Sequence, residues 1–173
     1  AESIRRRVGW AERAAAPPRG ELPVLFTPAG SGALFLPLRQ ACIGKAVLQG
    51  ISPLGGRIGE RAFDPTLTVI DDPWVPGASG SRAIDDEGVP TRRFPLVEGG
   101  IVGGFVYDLE AAARAGVPAT GHARRTTFGK PQAAYSNLVV SPGEFRWEEL
   151  LSKVADGLVV DDLIGVGQGN VIG

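Results

Sequence analysis

A pair of glycines between two extended runs is the sequence feature that most restricts the fold of this chain. Residues 92–98 and 101–107 are two runs of extended character, with Phe94, Leu96, Ile101 and Phe105 as alternating apolar positions, and only Gly99 and Gly100 separate them. Two adjacent glycines supply the positive backbone angles that a tight turn between strands requires. We therefore predict an antiparallel β-hairpin over residues 92–107.

Further short elements surround this hairpin, and the spacing of glycine and proline limits their length. Strands are predicted at residues 67–70, 137–141 and 158–160, and a buried strand at residues 22–27. Helices are predicted at residues 33–48, 108–115 and 148–155, with Asp108 as the N-cap of the second and Gly116 just beyond its end. Hairpins are more evident than helical crossovers, which favours an α+β fold. We expect a mainly antiparallel sheet or a partly closed β-barrel with three to four short helices.

The domain organisation is expected to be simple. Residues 1–20 are interpreted as an N-terminal helix or linker, and residues 21–173 as one domain. The sequence contains no methionine and ends at Gly173 within an extended segment. We therefore expect the chain to be a piece of something longer, truncated at its C-terminal end.

Charge and hydropathy argue against two classes of partner. Eighteen basic and nineteen acidic residues give a net charge of −1, so no overall field attracts nucleic acid or anionic lipid. The longest apolar run, residues 32–38, is far shorter than the roughly 20 residues of a membrane-spanning helix. No signal segment begins the chain, and the expected location is cytoplasmic.

Metal ligands are scarce in this sequence. It contains one histidine, His122, and one cysteine, Cys42. Zinc sites are built from several imidazole, thiolate and carboxylate donors, and His122 has no second histidine to join it. We interpret His122 as a surface or hydrogen-bonding residue and Cys42 as a small buried one. The prediction is no catalytic residue, no metal site and no cofactor.

An acidic loop, Asp85-Asp86-Glu87, could bind a hard cation or share a proton. Consecutive residues rarely all face one ion, however, so we favour a structural loop held by nearby arginines. The candidate arginines are Arg82, Arg92 and Arg93. The pair Asp71-Asp72 is interpreted in a similar way, as a turn former and solvated edge.

A second polar segment runs from Thr120 through Gly121 and His122 to Arg124. With Arg125 it places a glycine beside two guanidinium groups, which could hold a carboxylate or phosphate by paired hydrogen bonds. No strand, loop and helix of the P-loop type surrounds it, so nucleotide binding is not favoured.

Four stretches together resemble the TldD/PmbA family, whose members are also called modulators of DNA gyrase. They are Pro23-Val24-Leu25-Phe26, then Gly59-Glu60 with Leu67-Thr68-Val69-Ile70-Asp71-Asp72, then Asp85-Asp86-Glu87-Gly88-Val89-Pro90-Thr91, and Ala119-Thr120-Gly121-His122-Ala123-Arg124. The acidic block ahead of a Gly-Gly hairpin is the most specific of them. The resemblance extends over nearly the whole chain, from residue 23 to 173.

This resemblance also implies that the chain lacks a zinc-binding motif. The peptidase branch of the family carries His-Glu-x-x-x-His on a helix after the first strand, where two imidazoles can hold one zinc ion. Counting from Pro23-Val24 puts that motif at residues 36–41, which read Leu36-Pro37-Leu38-Arg39-Gln40-Ala41 here. The chain thus looks like the PmbA-like branch, which pairs with a TldD-like catalytic subunit.

The implied function is a non-catalytic subunit or inactive homologue of a zinc metallopeptidase, in a heteromeric complex with a TldD-like subunit or as a homo-oligomer. It would help to bind unfolded or precursor peptides, and the free edge of the hairpin at residues 92–107 is one candidate surface. Candidate binding residues are Asp85, Asp86, Glu87, Thr120, Gly121, His122 and Arg124. Two alternatives stay open: a regulator that binds DNA gyrase or another protein, and a hydrolase that uses the Asp85-Asp86-Glu87 carboxylates.

Overall fold

Short strands and short helices make up the part of the chain that the structure describes. The computed structural model describes residues 4, 5, 8, 9, 12, 14, 16, 19–154 and 156–165. The strands are β1 (Val24–Phe26), β2 (Val69–Asp71), β3 (Phe94–Glu98), β4 (Ile101–Val102), β5 (Ala123–Arg124), β6 (Gln132–Ala133), β7 (Leu138–Val140) and β8 (Leu158–Val160). The helices are a 3-10 turn (Gly30–Ala33), α1 (Phe35–Ala41), α2 (Gly44–Leu48), α3 (Leu109–Ala115) and α4 (Trp147–Lys153). The helix or linker predicted for residues 1–20 lies largely outside the described residues.

A four-stranded antiparallel sheet forms the centre of the fold. Its strand order is β4-β3-β2-β7, and every neighbouring pair is antiparallel. Two smaller sheets join β1 to β8 in parallel and β5 to β6 in antiparallel fashion. The predicted α+β class with a mainly antiparallel sheet is confirmed. The described strands do not close into a barrel.

The Gly-Gly hairpin forms as predicted. Glu98 lies opposite Ile101, and the turn between them uses positive φ angles of 55° at Gly99 and 79° at Gly100. Residues with a side chain rarely adopt positive φ angles, which explains why glycine occupies both positions. The second strand is shorter than expected, since β4 ends at Val102.

The outer edge of this hairpin is not free, so the prediction of a peptide-binding edge there is wrong. The N–H of Val102 donates to the carbonyl of Glu60 at 2.9 Å, and the N–H of Gly59 donates back to the carbonyl of Val102 at 2.9 Å. Further along, the N–H of Val106 donates to the carbonyl of Cys42 at 2.9 Å. Other parts of the same chain already occupy this edge.

The single helix predicted over residues 33–48 is also wrong, because the chain breaks at Ile43. This residue is extended, with φ −78° and ψ 123°, and it separates α1 from α2. The break allows the N–H of Gly44 to donate to the carbonyl of Val106 at 2.8 Å. A Cβ on Gly44 would lie 2.1 Å from the ring of Tyr107, so only glycine allows this approach. Pro37 lies in the first turn of α1, where proline is tolerated.

Local signals elsewhere were reliable, with one exception. Helix α3 begins with Asp108, whose Oδ1 accepts from the N–H of Ala111 at 2.7 Å, and it ends at Gly116 with φ 69°. The strands predicted at residues 137–141 and 158–160 are confirmed by β7 and β8, and the helix predicted at residues 148–155 by α4. The strand predicted at residues 22–27 is not buried, because β1 pairs with β8 alone among the described strands and Val24 is exposed.

The hydrophobic core lies between the central sheet and the first two helices. Leu96 and Val97 of β3 pack there with Leu38 and Ala41 of α1. Cys42 is fully buried, as predicted. Among the described residues, no helix has the length and apolar character needed to cross a membrane.

Candidate functional site

The acidic loop and the Thr-Gly-His segment, which are separated in sequence, lie against each other in the structure. Asp85 is buried, and its Oδ2 accepts from the N–H of Ala123 at 2.9 Å. The N–H of Asp86 donates to the carbonyl of Ala123 at 3.2 Å. The fold therefore brings the two groups of predicted binding residues together.

Main-chain amides, not arginines, hold the acidic loop. Oδ1 of Asp85 accepts from the N–H groups of Glu87 and Val89, each at 2.9 Å. Buried carboxylates need such donors, because an unpaired charge away from water is costly. Both Asp85 oxygens are thus engaged within the protein.

The other two carboxylates of the loop also bond to the main chain. Asp86 accepts from the N–H of Arg125 at 2.7 Å, and Glu87 accepts from the N–H of Leu109 at 2.8 Å. The expected tie to Arg82, Arg92 or Arg93 does not form. Instead, Arg93 makes an ion pair of 3.0 Å with Asp72.

The structure reveals a buried pair that the sequence interpretation missed. Nε2 of His122 lies 3.1 Å from Oδ2 of Asp71, and the two side chains are 1% and 0% exposed. The contact is within ion-pair distance but does not meet hydrogen-bond geometry. The expectation that Asp71 is a solvated turn former is therefore wrong. In β2, Val69 and Asp71 are both buried, while Ile70 between them is only half-buried. The available signal in the sequence was that Asp71 lies two residues after Val69, on the same side of a strand with a period of two.

The contact with Thr120 indicates which ring nitrogen of His122 acts as a donor. Its Nδ1 lies 2.9 Å from the carbonyl oxygen of Thr120, which can only accept, so Nδ1 is the donor. The ring of Phe94 packs edge-on against the imidazole at 5.3 Å and helps to exclude water.

Thr120 and Gly121 have structural contacts of their own. Oγ1 of Thr120 accepts from the N–H of Tyr107 at 2.8 Å and donates to its carbonyl at 3.0 Å. Gly121 has a φ of 76°, and a Cβ there would lie 2.4 Å from the carbonyl oxygen of Pro90. Of the predicted binding residues in this segment, Arg124 is the one whose side chain is exposed to solvent.

A groove lined by exposed cations lies beside this segment, and we call it the basic groove. Two adjoining cavities of about 480 Å³ and 320 Å³ form it, and they share Arg124, Gln132, Ala133 and Ala134. Its cationic side chains are Arg39, Lys45, Arg124, Arg125 and Lys130. Neither cavity is lined by an aspartate or a glutamate. Of its cations, the sequence indicated Arg124 and Arg125 as possible anion-binding groups, and Arg124 is among the candidate binding residues.

The zinc ion that the resemblance implies for peptidases of this type does not fit the described residues. Helix α1 carries Leu36, Pro37 and Ala41 where the motif would supply its donors, and none of these has a ligating side chain. Nowhere in the described ranges do three or more His, Cys, Asp or Glu side chains gather as a metal site. Burial also raises the pKa of the neighbouring Cys42 thiol to about 12, which disfavours the thiolate that binds metal.

Comparison with known proteins gives consistent similarities. The family described as PmbA/TldA metallopeptidase C-terminal domain matches residues 19–173. The chain is similar to a metalloprotease of Methanocaldococcus jannaschii, with 33% identity over 142 residues, which cover 82% of this chain and 32% of that protein. It is also similar to a TldD homologue of Haemophilus influenzae, with 34% identity over 60% of this chain and 22% of that protein.

A solved structure supports the same relationship. The crystal structure of TldE from Thermococcus kodakarensis superposes with a TM-score of 0.87 at 31% identity, over 95% of this chain and 38% of that one. The chain spans between about a fifth and about a third of the length of the curated relatives it matches.

Proposed function

Because the chain belongs to the PmbA/TldD metallopeptidase family, we propose that it is a non-catalytic subunit of a zinc metallopeptidase complex. The observation that carries this proposal is the side-chain content of α1. Leu36, Pro37 and Ala41 stand where catalytic members would carry His, Glu and His, and none of the three can bind or activate a metal-held water. The domain keeps the family fold but lacks the side chains that would bind zinc and activate a water molecule.

The proposed partner is a TldD-like subunit that retains the metal motif, with a homo-oligomer as the alternative assembly. The similarity to a protein called TldE on one side and to TldD homologues on the other supports such a pairing. In this arrangement the partner supplies the zinc ion and the general base. The present chain contributes surface that holds the peptide substrate.

One strand edge is suited to holding an extended peptide. Within the described residues, β7 pairs with β2 on one side and with no strand on the other. Asn137 and Ser141 bond to the β2 side, so the alternation of antiparallel pairing turns the amides of Leu138 and Val140 outward. An extended peptide can add to such an edge through main-chain hydrogen bonds with little dependence on its sequence. Unfolded and precursor peptides are the substrate class that this favours.

The hydrolase alternative lacks comparable support. A carboxylate acting as acid, base or metal ligand must face the substrate. Both oxygens of Asp85 instead accept main-chain N–H groups, and Asp86 and Glu87 each accept one as well.

Reconstitution tests the proposal directly. The protein and a TldD-like homologue that keeps His-Glu-x-x-x-His would be purified separately and mixed, and hydrolysis of unfolded, fluorescently labelled casein would be followed. We expect no hydrolysis and no stoichiometric zinc for this protein alone, and hydrolysis that rises on mixing. Zinc-dependent cleavage by this protein alone would refute the proposal. Stable capture of DNA gyrase without any effect on hydrolysis would favour the regulatory alternative.

A further inference from the structure

We infer that the basic groove binds a peptide segment bearing carboxylate side chains. This inference deepens the proposed function, on which it rests, by naming a preferred substrate class. Five cationic side chains line its two adjoining cavities, while the chain as a whole has a net charge of −1. The positive charge is therefore local to the groove and is not a property of the whole surface.

The cations of the groove are available to a ligand. Within the described ranges, none of the five makes an ion pair with a carboxylate, whereas Arg57 and Arg93 elsewhere do. The nearest carboxylates are occupied in other ways. Asp86 accepts from the main chain of Arg125, and Asp108 accepts from the N–H groups of Ala111 and Ala133. Glu110 lines an adjoining cavity, which shares Lys45 and Lys130 with the groove but also contains Arg114.

One guanidinium is held in position before any ligand arrives. Arg39 stands over the ring of Tyr135 with its Cζ 5.6 Å from the ring centroid. The hydroxyl of Tyr135 donates to the main-chain carbonyl of Arg39 at 2.5 Å, which fixes the ring relative to α1. A guanidinium restrained in this way loses less freedom on binding, and its paired N–H groups match the two oxygens of a carboxylate.

The lining favours a peptide over a nucleic acid. Single-stranded nucleic acids are usually bound by cations together with exposed aromatic rings on which bases stack. Tyr135 is the aromatic residue of the groove, and it is buried, with Arg39 over its face and its hydroxyl already bonded. The rest of the lining consists of small, amide and aliphatic side chains, among them Ala133, Ala134, Gln132, Ile43 and Ile51. Such a surface can accommodate an extended backbone with acidic side chains directed to the surrounding cations.

The position of the groove fits the proposed role. Arg39 and Gln40 of α1 line it, and α1 is the helix at which the resemblance locates the metal motif of catalytic relatives. A peptide held there by its acidic side chains would lie beside α1, the helix that corresponds to the zinc-binding helix of catalytic relatives.

Fluorescence anisotropy with a fluorescein-labelled hexaglutamate peptide tests the inference on the intact protein. We expect the combined variant Arg39→Ala/Arg124→Ala to weaken binding about tenfold, since two exposed charge contacts are lost. Binding should also weaken as salt is raised, because exposed charges are screened. Arg92→Ala is a matched control: Arg92 stacks on Phe94 with its Cζ 5.8 Å from the ring centroid but lies outside the groove, and it should leave the affinity unchanged.

Three outcomes would overturn the inference: equal binding of a hexaserine peptide, tighter binding of a labelled oligothymidylate, or an unchanged affinity of the double variant. Thermal melts would verify that the variants fold, and Lys45→Glu offers a second exposed site at which binding should fall. The result is separable from the proposed function. Loss of hexaglutamate binding tests the groove alone, whereas stimulation of a TldD-like peptidase tests the role of the subunit.

Discussion

His122 and Asp71 form a solvent-shielded pair, with Nε2 and Oδ2 separated by 3.1 Å. The pair connects β2 to the segment that follows α3. The other oxygen of Asp71 accepts from the N–H of Ser136 at 2.8 Å, so one carboxylate links three distant parts of the chain. His122 lies two residues before Arg124, which lines the basic groove.

Replacing His122 with leucine should destabilise the protein by about 3 kcal/mol or more, because it leaves the Asp71 carboxylate buried without its partner. Urea unfolding followed by fluorescence would measure the change in free energy of unfolding. Arg93→Ala is the control, since it removes an exposed partner of Asp72 and should cost less than about 1 kcal/mol. Similar costs for the two variants would show that the buried pair has no special role.

Alanine at Gly121 should destabilise the fold more than alanine at Gly116. Both glycines have positive φ angles, 76° and 69°, and each substitution should cost about 1 kcal/mol for that reason alone. Only at Gly121 would the new Cβ also meet a carbonyl oxygen, that of Pro90, at 2.4 Å. The difference between the two unfolding free energies isolates this steric contact, and equal values would contradict it.

Cys42 should make the folded state sensitive to alkaline pH. Burial raises the pKa of its thiol from 9.0 to about 12, so the unfolded chain ionises first as pH rises. The stabilisation is fully present below pH 9 and is lost progressively as pH increases towards about 12. Burial also raises the pKa of Tyr107 and Tyr135, which adds a second decline at higher pH.

Comparison with Cys42→Ala separates these contributions. The variant should lack the part of the decline that begins near pH 9 and keep the part that arises from the tyrosines. In the folded protein at pH 8, the thiol should also resist a disulfide reagent until urea unfolds the chain. Rapid labelling of the native protein would contradict the burial of Cys42.

Proline at Val140 should block peptide addition at β7 without unfolding the protein, because the amide of Val140 faces away from β2. Proline at Val139 is the matched comparison. Its amide faces Ile70 across the ladder, so the change removes a native bond and should lower stability. Binding of an unfolded peptide that is unchanged in a folded Val140→Pro variant would exclude this edge as the binding surface.

The sequence by itself determined the features that depend on neighbouring residues. Gly99 and Gly100 specified the hairpin because their positive φ angles belong to the turn itself. Asp108 and Gly116 specified both ends of α3 because a helix cap bonds within a few residues. The missing metal donors at Leu36, Pro37 and Ala41 could likewise be read directly from the resemblance.

Tertiary structure alone decided the features that join distant residues. The break at Ile43 arises because Gly44 and Cys42 form main-chain hydrogen bonds with Val106. No residue near Ile43 in the sequence indicates that Val106 will be the partner. Asp71 is buried because the fold places His122 beside it. The basic groove brings Arg39 and Tyr135 together across 96 residues of sequence. Local propensity acts over a few residues, whereas burial, charge pairing and edge coverage depend on which remote segments the folded chain brings into contact.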